Sequence, residues 1–183
     1  MTIRKIAKMG HPILRKVAKP VPVEEISSPT IQKLIADMIE TVIDANGAGL
    51  AAPQVHESKR IVILELDEKP GFQVWINPVL SPIEDEHVLT FEGCLSVPDL
   101  RGAVIRPQKI HVSYYNEKGQ RLEREIEGYS AIVAQHECDH LDGVIYVDKT
   151  EPGTLCFLKE YKKYRESILD YAFGPEEEES NAE

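Results

Sequence analysis

The pentapeptide His136-Glu137-Cys138-Asp139-His140 constrains this chain more than any other stretch. Two imidazoles four residues apart can share one metal ion when the backbone between them is helical. At about 100° per residue they differ by about 40° around the axis and project from one face. The surrounding residues agree with a helix. Across 129–141, YSAIVAQHECDHL, residues Tyr129, Ile132, Val133, His136 and His140 recur at helical spacing, and Gly143 closes the segment. The histidines thus continue an apolar stripe expected to face the core, where two unpaired imidazoles would be costly. On such a helix two nitrogens can grip a metal while Glu137, beside them, moves a proton.

A catalytic metal of this kind keeps three protein ligands and one open position. No histidine follows His140, although Asp142, Asp148, Glu151 and Glu160 offer carboxylates. Cys94, in Phe91-Glu92-Gly93-Cys94-Leu95-Ser96, is the better third ligand, because glycine lets the backbone come close to a metal. Cys138 lies about 200° around the helix from His136, on the opposite face. Cys156 reads as a small buried hydrophobe on the last helix. A third segment, GAGLAAPQ at 47–54, combines small residues that admit a substrate backbone with Gln54, whose amide can donate to a developing oxyanion. Read alone, it marks only a helix stop.

The remaining pattern fits one mixed domain. Residues 30–45 place Ile31, Leu34, Ile35, Met38, Ile39, Val42 and Ile43 on one helical face, with Ser28-Pro29 as start and Gly47 as stop. Ile61-Val62-Ile63-Leu64 and Val74-Trp75-Ile76 are β-rich runs, and 109–115 with 120–127 read as a hairpin around Asn116-Glu117-Lys118-Gly119. A last helix is expected over 154–171, with Leu155, Leu158, Tyr161, Ile168 and Leu169 as a looser stripe. The predicted class is α+β: antiparallel strands around a central metal-binding helix, with N-terminal and C-terminal helices. Residues 1–172 form the domain. Residues 173–183, acidic and nearly devoid of apolar side chains, are expected to be a disordered tail.

Composition narrows the functional classes. The chain has 183 residues, enough to bury a core without disulfides, and its three cysteines suit a reducing compartment. No apolar run approaches the roughly 20 residues that cross a bilayer, and the N-terminus lacks an uninterrupted signal core. We expect a cytoplasmic protein that uses neither membrane nor DNA. The formal charge is −10, and the five glutamates at 176–179 and 183 supply half of it. A broad polyanion-binding face is therefore not expected.

Together the segments GAGLAAPQ at 47–54, EGCLS at 92–96 and QHECDHLDG at 135–143 resemble the peptide deformylase family, in order and in separation. The resemblance covers nearly the whole chain except the acidic tail. It implies a hydrolase that removes the formyl group from the N-terminal formyl-methionine of nascent polypeptides. It also implies that Cys94, His136 and His140 bind one ferrous iron, with zinc, nickel or cobalt as substitutes. Glu137 would be general base and acid, and the Gln54 side chain and Leu95 N–H would hold the oxyanion. Gly49 would pair with the substrate backbone, and Ala48, Tyr129, Ile132 and Val133 would line the methionine pocket. Arg101 matches an arginine near the substrate cleft.

Two other readings compete. A general zinc endopeptidase would be favoured by a third ligand downstream of His140. A structural metal site on a binding protein would need four protein ligands and leave Glu137 without a purpose. On the last helix, Lys159, Lys162, Lys163 and Arg165 form a basic face, either simply solvated or suited to ribosomal RNA near the exit of new chains.

Overall fold

The computed structural model describes residues 2–66, 71–83 and 85–174. The acidic segment from 175 onward, on which most of the expected tail falls, lies outside them. Among the described residues three α-helices, α1 (Pro29–Asp44), α2 (Gly128–Leu141) and α3 (Leu158–Phe173), accompany eight strands. The strands are β1 (Gly49–Ala51), β2 (Ile61–Glu65), β3 (Phe72–Pro82), β4 (His87–Cys94), β5 (Val97–Pro107), β6 (Lys109–Tyr115), β7 (Arg121–Glu127) and β8 (Cys156–Phe157). All named pairings are antiparallel. One sheet runs β1-β2-β3-β6-β7 and the other β4-β5-β8. The α+β architecture is as predicted.

The larger sheet lies between two helices. Strand β2 explains why: Val62 and Leu64 join the cluster that includes Trp75, Ile110, Val112 and the α2 residues Ala131, Ala134, Cys138 and Leu141. Its alternate residues Ile61 and Ile63 pack instead with Ile31, Leu34, Ile35, Met38 and Val42 of α1. A strand covered on both faces must be apolar throughout, which is what Ile61-Val62-Ile63-Leu64 provides. A third cluster, with Leu14, Val97, Val104, Ile145 and Tyr146, lies beneath the β4–β5 hairpin.

Helix α1 begins where expected, with Ser28 Oγ accepting from Ile31 N–H and Pro29 in the first turn. Its apolar face is narrower than the spacing predicts, because Ile43 is exposed. Asn46, in the left-handed region, follows its C-cap Ala45, one residue before the predicted glycine stop. Helix α2 is buried on nearly every side, Ser130, Ala131, Ala134 and Leu141 included, as suits a central element. The predicted last helix is corrected at both ends. Residues 156–157 form β8, paired with Leu100 and Arg101, and α3 starts at Leu158. None of the residues of α3 is fully buried. Among the described residues no helix is long and apolar enough to cross a membrane.

Candidate metal centre

The end of β4 and the C-terminal half of α2 bring Cys94, His136 and His140 together. One ligand atom from each lies within 4.8 Å of the others. Cys94 Sγ is 3.2 Å from His140 Nε2. Thiolate and imidazole ligands of a tetrahedral zinc-type ion sit roughly 3.6 Å apart, given bond lengths of about 2.3 and 2.0–2.1 Å. His136 keeps Nε2 for a cation because its Nδ1 is bound to Glu92 Oε2 at 2.7 Å. His140 Nδ1 and Glu137 Oε2 are buried without hydrogen-bond partners. Crowded soft donors beside an orphaned carboxylate oxygen fit a divalent cation with one open position.

Glu92 anchors this arrangement from behind. Arg106 grips both of its carboxylate oxygens, through Nε and through Nη2 at 2.9 Å. The third guanidinium nitrogen reaches Asp139 Oδ2 at 2.9 Å, and Lys149 Nζ meets the other Asp139 oxygen at 2.7 Å. Burial alone would raise the Glu92 pKa. The Arg106 and His136 hydrogen bonds, with their charges, overcome it and hold the group at about 2. Glu92 is therefore an anion that fixes the His136 tautomer. The sequence reading did not single out Glu92 or Arg106. Only the position of Glu92, two residues before Cys94, hinted at a role.

Glu137 differs. Burial pushes its pKa up to about 7; Glu92 adds to this, while His136 and Arg106 oppose it. A carboxyl poised near neutrality is suited to taking and returning a proton. Its carboxylate packs on Gly49 of β1, where a Cβ would come within 2.6 Å of Cγ and Oε1. Gln54 follows β1 in a 3-10 turn (Ala52–Val55) and is locked at both ends. Its Oε1 accepts from Ala51 N–H at 2.7 Å, and its Nε2 donates to Cys94 Sγ at 3.4 Å and Ser96 Oγ at 3.2 Å.

A cleft of about 690 Å³ opens over these groups. Its lining includes the predicted Ala48, Gly49, Leu95, Arg101, Tyr129, Ile132 and Val133. Val133 is buried, Ile132 half-buried, and Tyr129 57% exposed, which corrects the expectation that the whole α2 stripe faces the core. The Arg101 guanidinium lies over Gly93, where a Cβ would collide with it, and its Nη1 donates to Leu100 O at 2.8 Å. Strand β1 is the outermost of its sheet.

The alternative donors lie elsewhere. Asp142 pairs with Arg60 at 2.6 Å and Asp148 is held by Arg15. Cys138 is buried in the core between α2 and the sheet, and its thiol pKa is pushed up by burial. Cys156 is half-buried on β8, not in the last helix.

Comparison with known proteins gives the family. The family described as Polypeptide deformylase matches residues 3–154. A peptide deformylase of Leptospira biflexa is 44% identical over 164 residues, covering 85% of this chain and 92% of that protein. Peptide deformylase 1 of Bordetella pertussis is 45% identical over 152 residues, covering 79% and 85%. The crystal structure of peptide deformylase from Thermotoga maritima superposes with TM-score 0.77 at 40% identity, covering 83% of this chain and 100% of that one. A class I type b peptide deformylase from Acinetobacter baumannii, bound to Met-Ala-Ser, has TM-score 0.77 at 36% identity, covering 81% and 98%. With the family matched over most of its length, this chain belongs to the peptide deformylases, enzymes that remove N-terminal formyl groups.

Proposed function

We propose that this protein hydrolyses the formyl group from N-formylmethionyl nascent peptides in the cytoplasm, with Cys94, His136 and His140 as metal ligands. The observation that carries the proposal is the orphaned, buried Glu137 carboxyl beside a convergent sulfur and two imidazoles. A divalent cation bound there supplies Lewis acidity, lowering the pKa of water and polarising the formyl carbonyl.

The chain's own groups do the rest. Glu137 accepts a proton from the attacking water and later delivers it to the leaving amine, so a C–O bond forms, the C–N bond breaks, and formate departs. Gln54 Nε2, already directed at Cys94 Sγ, and the Leu95 N–H donate to the oxygen on which negative charge develops. The outer edge of β1, at Gly49, pairs with the peptide backbone. The methionine side chain enters between Ala48, Tyr129, Ile132 and Val133, and Arg101 lines the cleft beyond them. That a similar protein binds Met-Ala-Ser supports this substrate class. A formyl carbon bears only hydrogen, so a crowded site can admit it and exclude internal peptide bonds. Comparable turnover of acetyl-Met-Ala-Ser would contradict that selectivity.

The deciding assay is formate release from formyl-Met-Ala-Ser by metal-loaded wild-type protein and by Glu137→Gln, with metal content measured alongside. We expect turnover only in the wild type at equal metal loading. Equal turnover by the variant would remove Glu137 from the chemistry. The exposed basic residues Lys159, Lys162, Lys163 and Arg165 of α3 support docking to the ribosome where these substrates emerge. Unchanged ribosome co-sedimentation after their charge reversal would dismiss that docking.

A further inference from the structure

Residues 7–9 form a strap across the segments that flank Cys94. Ala7 N–H donates to Gln54 O at 2.7 Å, and Met9 N–H donates to Ser96 O at 2.8 Å. Between them, Lys8 lies exposed in the wall of the cleft, and its Nζ donates to Leu95 O at 2.7 Å. Leu95 C=O and Ser96 N–H are the two ends of one peptide group. That Ser96 N–H donates to Cys94 Sγ at 3.4 Å, beside the donor from Gln54. An ammonium, a polarisable peptide group and a sulfur therefore stand in line.

A cation at the oxygen end of a peptide group draws electron density toward itself and makes the N–H a stronger donor, as hydrogen bonds in a chain reinforce one another. Stronger N–H donors withdraw charge from a thiolate, and outer groups of this kind tune a metal through its ligand. We propose that Lys8 is a positioning residue for the metal centre. Acting through the Leu95–Ser96 peptide, it strengthens the N–H···Sγ bond and so sets how much charge the Cys94 thiolate gives a bound cation. This rests on the metal-ligand reading of Cys94 above.

The test uses the full-length protein loaded with Co2+, whose sulfur-to-metal charge-transfer band reports the thiolate directly. Lys8→Met keeps the aliphatic stem and removes the charge; Lys8→Arg keeps a cationic donor. The expected result is a band moved to longer wavelength in Lys8→Met and returned toward the wild-type position in Lys8→Arg. The Lys8→Met kcat on formyl-Met-Ala-Ser should fall by about tenfold or less, with KM unchanged, since Lys8 is one link further out than a direct ligand partner. A band unmoved in Lys8→Met overturns the inference, and an unmoved band with a raised KM assigns Lys8 to peptide binding instead. Absence of any such band in the wild type would remove the metal-ligand reading of Cys94, and this inference with it.

Discussion

The carboxylate of Glu137 rests against the backbone of Gly49 so closely that a methyl group at position 49 would come 2.6 Å from its Cγ and Oε1. β1 and α2 are thereby in contact at the carboxyl proposed above to move the proton. Gly49→Ala should push that carboxyl off its position without touching a metal ligand. A displacement of about 1 Å costs roughly 100-fold in rate, so kcat should fall by about that factor while metal content stays at the wild-type level. Wild-type turnover by Gly49→Ala would mean that Glu137 has room the structure does not show.

Arg106 and Glu92 form a buried ion pair, their side chains 3% and 5% exposed. Removing one partner of such a pair leaves an uncompensated charge and destabilises by about 3–5 kcal/mol. Arg106→Met should therefore lower the unfolding free energy of the metal-free protein by about that amount. It should weaken metal retention as well, because Glu92 then holds His136 less firmly. Urea denaturation and metal titration read the two effects. A change well under 1 kcal/mol, the range of exposed pairs, would mean that the pair is in practice solvated.

Much of this site is legible in the chain because its signals are local. The H-E-x-x-H spacing and the small residues at 47–54 need only a helix and a turn to take effect, and both form. What escaped was non-local. Arg106 reaches Glu92 across the β4–β5 hairpin, whose strands run through Gly93, Pro98 and Gly102 and show no clean alternation. Strand β8 is two residues long and exists only because Leu100 and Arg101 lie alongside to pair with it. The exposure of Tyr129 has the same origin: helical period puts it on the stripe of Val133 and His136, but the cleft opens there where core would otherwise close. Period identifies a face. It does not say whether protein or substrate covers that face.

Asp37 ties the N-terminal segment to α1. Its carboxylate accepts from Thr2 N–H at 3.0 Å, Arg4 Nε at 3.3 Å and Lys33 Nζ at 2.7 Å. The Lys33 ammonium, ahead of opposing burial, holds its pKa below the usual 3.8. A depressed folded-state pKa contributes stability that is present above the unfolded value and lost as pH falls through the lower folded one. Asp37→Asn should thus unfold at lower denaturant than wild type at neutral pH, and the gap should close as pH falls below about 4, the unfolded value. A gap independent of pH would show that the amide disturbs packing rather than charge.

The identity of the cation has its own test. Cys94 is half-buried in the wall of an open cleft, through which dissolved oxygen can approach it. One thiolate and two imidazoles accept ferrous iron, zinc, nickel or cobalt, so geometry alone does not choose among them. Redox chemistry does separate them: ferrous iron can pass an electron to oxygen, whereas zinc has no redox chemistry to offer. With oxygen reduced beside it, the Cys94 thiolate is the nearest group to oxidise, and a sulfenic or sulfinic sulfur no longer holds a metal in the same way. We expect iron-loaded protein to lose formate release on exposure to air and to keep it under argon, while zinc-loaded protein keeps its own rate in both. Mass spectrometry of the inactivated iron form should locate added oxygen on Cys94, not on the buried Cys138. Equal lifetimes of the two forms in air would mean that iron at this site is shielded from oxygen or is not held by Cys94 at all.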